Sequence, residues 1–108
     1  MIAQLAATEL ARWRADTGRS QPLIVDVREP WEYALCRIEG SLSLPLGELM
    51  SRQDELPRDR PLILVCHLGG RSLQAAQYLD SAGFANVHNL RGGVAAWAAE
   101  VEPTMPTY

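Results

Sequence analysis

The sequence predicts an α/β domain, a parallel sheet with helices on both faces. Three observations carry that expectation. Apolar runs of strand length alternate with helical stripes from one end of the chain to the other. The run Leu62 to Val65 has no polar residue, as a strand covered on both sides requires. The 108 residues, 47% of them apolar and 21% charged, suit one hydrophobic core and are too few for two.

A short element around Ile2 to Leu5 comes first. Thr8 is the expected N-cap of a helix that runs to about Ala15 and closes near Gly18, with Leu10 and Trp13 on its inner side. Pro22 to Val27 is the next strand, and Pro30 after Glu29 suits the first turn of a helix to about Leu35. Leu42 to Leu44 is a brief apolar piece stopped by Pro45, and a helical stretch from Glu48 to Leu56 is closed by Pro57. After a turn at Arg58 to Pro61 and the strand at Leu62 to Val65, Leu73, Ala76 and Leu79, with Ala75 and Ala82 beside them, form a stripe ending at Gly83. Arg71 or Ser72 is expected to begin that helix. Val87 to Leu90 is the last strand, Gly92-Gly93 a turn, and Val94 to Val101 a final helix stopped before Pro103. Residues 1–108 thus read as one domain, with 102–108 as a surface tail.

Composition removes several classes of function. A net charge of -3 gives no general reason to bind nucleic acid or an anionic membrane, so any anion site must be local. All ten basic residues are arginines; without lysine, side-chain Schiff-base chemistry and the phosphate-loop lysine drop out. No apolar run approaches bilayer length, and Glu9, Arg12 and Arg14 interrupt any early signal-like segment. Cys36 and Cys66 make a poor disulfide framework and fit a reducing compartment, so a cytoplasmic location is expected. Cys36, Cys66, His67 and His88 lack the spacing of a zinc site, and no metal is expected.

Chemistry concentrates in Cys66-His67-Leu68-Gly69-Gly70-Arg71-Ser72, where a buried strand delivers a cysteine into a glycine-rich turn. A thiolate is favoured where backbone N–H groups, a helix start or a cation stabilise negative charge, and this loop offers all three. The N–H groups of Leu68 to Ser72 can curl round the sulfur, and Gly69 and Gly70 permit the curl. Strand, glycines and helix start are also how any parallel α/β domain turns a corner, and a cysteine there can be a plain small hydrophobe. Ligands in such sheets bind beyond the carboxyl ends of the strands, where Cys66 and Asp26 both fall. If their strands are neighbours, Arg28 and Glu29 line the same mouth.

Asp26-Val27-Arg28-Glu29-Pro30-Trp31-Glu32-Tyr33, Ile38-Glu39-Gly40, Pro45, the Cys66 loop and Gly92-Gly93 with Trp97 resemble, in order, the signatures of the rhodanese family of single-domain sulfurtransferases. The resemblance covers nearly the whole chain. It implies a central five-stranded parallel sheet and a Cys66 that takes a sulfane sulfur from thiosulfate or a persulfide donor. Cys66 would hold it as a persulfide and pass it to cyanide or to a thiol such as thioredoxin or glutathione, with no cofactor. It also implies that the amides of Leu68, Gly69, Gly70, Arg71 and Ser72 hold the persulfide charge and that Arg71 places an anionic donor. Asp26 resembles the family aspartate and is expected to brace the loop or Arg71; Arg28 and Glu29 are expected to form an ion pair that fixes their turn. Ser72 is expected as an N-cap first and a pocket hydroxyl second, and His67 either tunes donor choice or fills space.

The chain departs from the family pattern at Cys36-Arg37, where Gly-His is frequent, and at Ser41 after Gly40. Cys36 reads as an inert helix-end thiol rather than a resolving one, and Trp13, Trp31 and Trp97 as core aromatics. Two rival functions stand beside sulfur transfer. A cysteine-dependent phosphatase resembles this loop but encloses one residue more between cysteine and arginine than the four found here. A binding or regulatory module without turnover is the other, although such modules often lack the cysteine. The sequence leaves the oligomeric state open.

Overall fold

The computed structural model describes residues 2–108. Strands β1 (Ala3–Leu5), β2 (Leu23–Asp26), β3 (Leu42–Ser43), β4 (Leu62–Val65) and β5 (Val87–Leu90) form one sheet in the order β1-β5-β4-β2-β3, and every pairing is parallel. Helices α1 (Ala7–Ala15), α2 (Pro30–Leu35), α3 (Leu49–Arg52), α4 (Gly70–Ser81) and α5 (Gly93–Glu100) connect them. The expected adjacency holds: β2 and β4 pair with Asp26 opposite Val65.

The strand period divides the core. Ile63 and Val65 of β4 join Leu10 and Trp13 of α1 and Val94 and Trp97 of α5 on one face of the sheet. Leu62, Leu64 and Cys66 join Leu49 of α3 and Ala75, Ala76 and Leu79 of α4 on the other. Each fully buried aliphatic side chain of this kind contributes about 1.5–3 kcal/mol. Cys66 is thus committed to the α3/α4 face by alternation alone.

Several boundaries differ from the sequence expectation, each for a local reason. Helix α1 starts at Ala7 because Glu9, not Thr8, serves its N-terminus: the Glu9 carboxylate accepts the Ala6 N–H at 2.8 Å. The stretch from Glu48 to Leu56 is not one helix. A 3₁₀ turn at Leu46–Glu48, the four residues of α3 and a second 3₁₀ turn at Gln53–Glu55 replace it, anchored by buried Leu49 and Leu56. β3 keeps only Leu42 and Ser43, α4 begins at Gly70, ahead of Arg71 and Ser72, and α5 runs from Gly93. Trp13 and Trp97 lie in the core, whereas Trp31 is 61% exposed, because α2 turns Glu32 inward instead. Residues beyond α5 run along the surface with Met105 buried as an anchor.

The N-terminus of α5 is clamped onto the end of β4. Val94 N–H donates to the Cys66 carbonyl at 2.9 Å and Ala95 N–H to the His67 carbonyl at 3.2 Å. Gly93 makes this approach possible: its φ is +58°, and a Cβ there would overlap the carbonyl oxygens of Cys66 and His67. Gly93→Ala is therefore expected to cost about 3 kcal/mol or more in urea denaturation. Gly70→Ala, whose new methyl meets no atom within 4 Å, is expected to change stability by less than about 1 kcal/mol.

Candidate active site

Past Val65 the chain turns sharply at Gly69, whose φ of +107° lies in the left-handed region and which serves as the N-cap of α4. Any side chain there would crowd the Gly92 nitrogen at 3.2 Å. The turn brings the Gly69 N–H to 3.1 Å from Cys66 Sγ, while the Ser72 hydroxyl lies 3.3 Å from the same sulfur. A backbone donor, a hydroxyl and the start of a twelve-residue helix converge on one thiol. Cys66 itself is only 1% exposed, so the sulfur forms the floor of the loop, and Leu68, 68% exposed, stands at its rim. Ser72 is not the N-cap expected of it. It is the third residue of α4, and its hydroxyl faces inward.

Asn89 of β5 controls that hydroxyl. Its Nδ2 donates to the Gly69 carbonyl at 3.2 Å and to Gln4 Oε1 at 2.9 Å, which turns its own carbonyl toward Ser72 Oγ. Ser72 has one proton and two acceptors, the Asn89 carbonyl and the Cys66 sulfur. A negative sulfur draws that proton to itself.

Arg71, the cation of the loop, is met by Glu32 of α2 in a two-pronged pair, Nη1 to Oε1 at 2.7 Å and Nη2 to Oε2 at 2.8 Å. Glu32 also accepts the Glu29 N–H at 2.9 Å and the Tyr108 hydroxyl at 2.7 Å. The Arg71 bond, opposed by burial and helped by Tyr108 and Glu29, holds the Glu32 pKa down to about 2. Glu32 in turn raises that of Arg71 above the ordinary arginine value. Tyr108 accepts from Arg28 Nη1 at 3.1 Å, stacks on the His67 ring at 4.0 Å between centroids, and meets the Trp31 edge at 5.9 Å.

The residues expected to support the site are arranged differently from that expectation. Asp26 braces neither the loop nor Arg71; it is closed on Arg28, with Nη2 to Oδ2 at 2.8 Å and Nε to Oδ1 at 2.9 Å. Arg28 consequently does not pair with Glu29. Its guanidinium is fully buried and also donates to the carbonyls of Cys36 and Glu32. Burial works against the Arg28 charge, but the bonds to Asp26 and Tyr108 outweigh it and raise the pKa. A guanidinium without solvent needs a carboxylate equally deep, and exposed Glu29 is not one. Glu29 instead occupies the N-cap position of α2, where its N–H donates to the Glu32 carboxylate. Sequence reasoning missed Glu32, Asn89, Gln4 and Tyr108. The one local signal was Asn89, a polar residue inside the apolar run Val87 to Leu90.

With this geometry in place, comparison with known proteins is decisive. The family model described as Rhodanese-like domain matches residues 6–100. The chain belongs to the rhodanese-like domain family. It is 40% identical over 98 residues to a protein of Allochromatium vinosum named sulfurtransferase, with 91% of this chain and 90% of that one covered. It is 38% identical to the probable adenylyltransferase/sulfurtransferase MoeZ of Mycobacterium tuberculosis, but the match takes in 93% of this chain and only 26% of that larger protein. A crystal structure from Staphylococcus saprophyticus superposes with a TM-score of 0.83 at 28% identity, covering 93% of this chain and 97% of that one. Among the described residues, this rhodanese-like domain has no helix long and apolar enough to cross a membrane.

The Glu32 pair has a pH signature. A carboxylate whose pKa is lowered on folding contributes its full stability above its unfolded value and loses that contribution as pH falls through its folded one. For Glu32 the window runs from 4.5 down to about 2. Glu32→Gln is expected to lower stability on the order of 2 kcal/mol near neutrality, a value discounted for the half-exposed Arg71. Urea titrations of both proteins should converge as pH falls through that window.

Proposed function

We propose that the protein is a sulfurtransferase in which Cys66 carries a sulfane sulfur as a persulfide. The observation that carries this reading is the convergence of the Gly69 N–H and the Ser72 hydroxyl on Cys66 Sγ inside a loop that encloses four residues between Cys66 and Arg71. Sulfurtransferase names among its relatives support the same chemistry.

The reaction takes two displacements. The Cys66 thiolate attacks the outer sulfur of thiosulfate or of a persulfide; the donor S–S bond breaks, and sulfite or a thiolate leaves. The terminal sulfur, now on Cys66, keeps its negative charge against the loop amides of Leu68, Gly69, Gly70, Arg71 and Ser72. An acceptor thiolate, on glutathione or thioredoxin, or cyanide then attacks that sulfur and frees Cys66. His67 stacks on Tyr108 at the edge of this site. Asp26 and Arg28 support it by fixing the entry to α2, whose N-cap position Glu29 occupies, so that Glu32 meets Arg71. Both cysteines are free thiols, which suits the reducing cytoplasm as its location. Sulfur held on cysteine itself calls for no metal or organic cofactor.

The short loop favours sulfur over phosphate, since one residue fewer narrows the nest that would surround a tetrahedral anion. Incubation with a sulfane donor followed by intact-mass measurement tests the reading: wild type should gain one sulfur atom and Cys66→Ser none. Turnover to thiocyanate from cyanide should fall at least about 10³-fold in the same variant. An unmodified wild type that releases no thiocyanate would point to a binding module, and Cys66-dependent hydrolysis of an aryl phosphate to a phosphatase.

A further inference from the structure

We infer that the donor for this site is a persulfide, R–S–SH, rather than thiosulfate, and that Glu32 sets this preference by neutralising Arg71. The inference rests on the sulfur-transfer function proposed above and concerns which donor loads Cys66.

The starting observation is the state of the loop cation. Arg71 turns both terminal nitrogens onto both oxygens of Glu32, at 2.7 and 2.8 Å. This fork-to-fork geometry is the one a guanidinium would otherwise offer to the oxygens of a sulfonate. Glu32 is no casual surface partner. Its side chain is 5% exposed against 38% for Arg71, and the Tyr108 hydroxyl and the Glu29 N–H hold its two oxygens from other sides. Tyr108 is fixed in turn by Arg28 and by its stack on His67.

The remaining charges do not compensate. Arg28 is fully buried and closed on Asp26. Two guanidiniums and two carboxylates therefore leave this network with no net charge. Arg91 is exposed, and it borders a shallow depression shared with Leu68, Gly69 and Gly92 that Cys66 does not line. That position suits a carboxylate on the body of a donor better than the reacting sulfur.

Thiosulfate carries two negative charges and three sulfonate oxygens that need donors. To take the two-pronged Nη1/Nη2 face of Arg71 it must displace Glu32, which leaves a nearly buried carboxylate without its main partner; the N–H groups of Arg71 that Glu32 does not use can meet it only with their charge already balanced. A persulfide makes no such demand. It carries at most one charge on the sulfur pair, which the loop amides can hold, and its organic part can lie against the exposed side chain of Leu68 in the same loop. The step balances as Cys66–SH + R–S–SH → Cys66–S–SH + R–SH. A bond forms between Sγ and the outer sulfur, the donor S–S bond breaks, and the departing thiolate takes up the proton that Cys66 released, with no net oxidation.

The test loads the full chain with glutathione persulfide and, separately, with thiosulfate, and reads the second-order rate of Cys66 modification by intact mass. Wild type should load from the persulfide at least about 10-fold faster. Glu32→Gln, which frees the Arg71 charge, should raise the thiosulfate rate about 10-fold and leave the persulfide rate within about 3-fold. Tyr108→Phe, which only loosens Glu32, should move the ratio the same way by a smaller factor, and it carries the test if Glu32→Gln does not fold. Equal loading of wild type by both donors, or a donor ratio unchanged in the folded variants, would overturn the inference while leaving sulfur transfer intact. Failure of both donors to load folded wild type would overturn the sulfur-transfer function itself.

Discussion

The constraint on which the site depends is the pair of hydrogen bonds from the start of α5 to the end of β4. Val94 and Ala95 hold the carbonyls of Cys66 and His67 at 2.9 and 3.2 Å, and Gly93 lets the two backbones meet. With those carbonyls pinned, the direction of the chain leaving β4 is set, while strand alternation sets the side of the sheet on which Cys66 emerges. The thiol must then face α4, whose first turn brings the Gly69 amide and the Ser72 hydroxyl to it. Close packing of glycine against backbone, rather than any charge, is what places the Cys66 sulfur.

Around that rigid centre the charged groups form an alternating chain: Asp26, Arg28, Tyr108, Glu32 and Arg71. Each buried charge has a partner of opposite sign or a hydroxyl between, as burial requires. The chain ties β2, α2, the residues after α5 and the Cys66 loop into one unit. It also means that the positive charge of the loop is not a free anion trap but one end of a neutral network. The groups that meet the Cys66 sulfur are a backbone N–H and the Ser72 hydroxyl, donors of short range.

Much of this was legible in the sequence. The all-apolar run Leu62 to Val65 marks a strand buried on both faces, and the glycines after Cys66 mark a turn that must admit positive φ; both features are local and both are as expected, except that only Gly69 takes the positive φ while Gly70 is already helical. Helix starts were misplaced by one or two residues because a glycine N-cap leaves no side-chain signal, as at Gly69, and because Glu9 rather than Thr8 serves α1. Trp31 reads as core since aromatic residues usually are. In α2, however, the inward position is taken by Glu32, whose burial depends on a partner 39 residues away. Tyr108 is 76 residues from Glu32, and Asn89 is 17 from Ser72. No local pattern announces such pairings; they exist only once the sheet order brings β5, β4 and β2 side by side.

His67 shows how the two faces of the sheet divide the work. Alternation sends Cys66 to the α3/α4 face, whereas the residue after it lines a cleft of about 70 Å³ with Cys36, Val94, Ala95, Pro106, Thr107 and Tyr108 on the other. Its ring meets the Tyr108 ring face to face, and the Tyr108 hydroxyl meets Glu32, which holds Arg71. The His67 ring thus connects to Arg71 through that stack and the carboxylate. The adjacent positions 66 and 67 meet the same loop by different routes, one through its sulfur and the other through the tyrosine that helps hold Glu32 on Arg71.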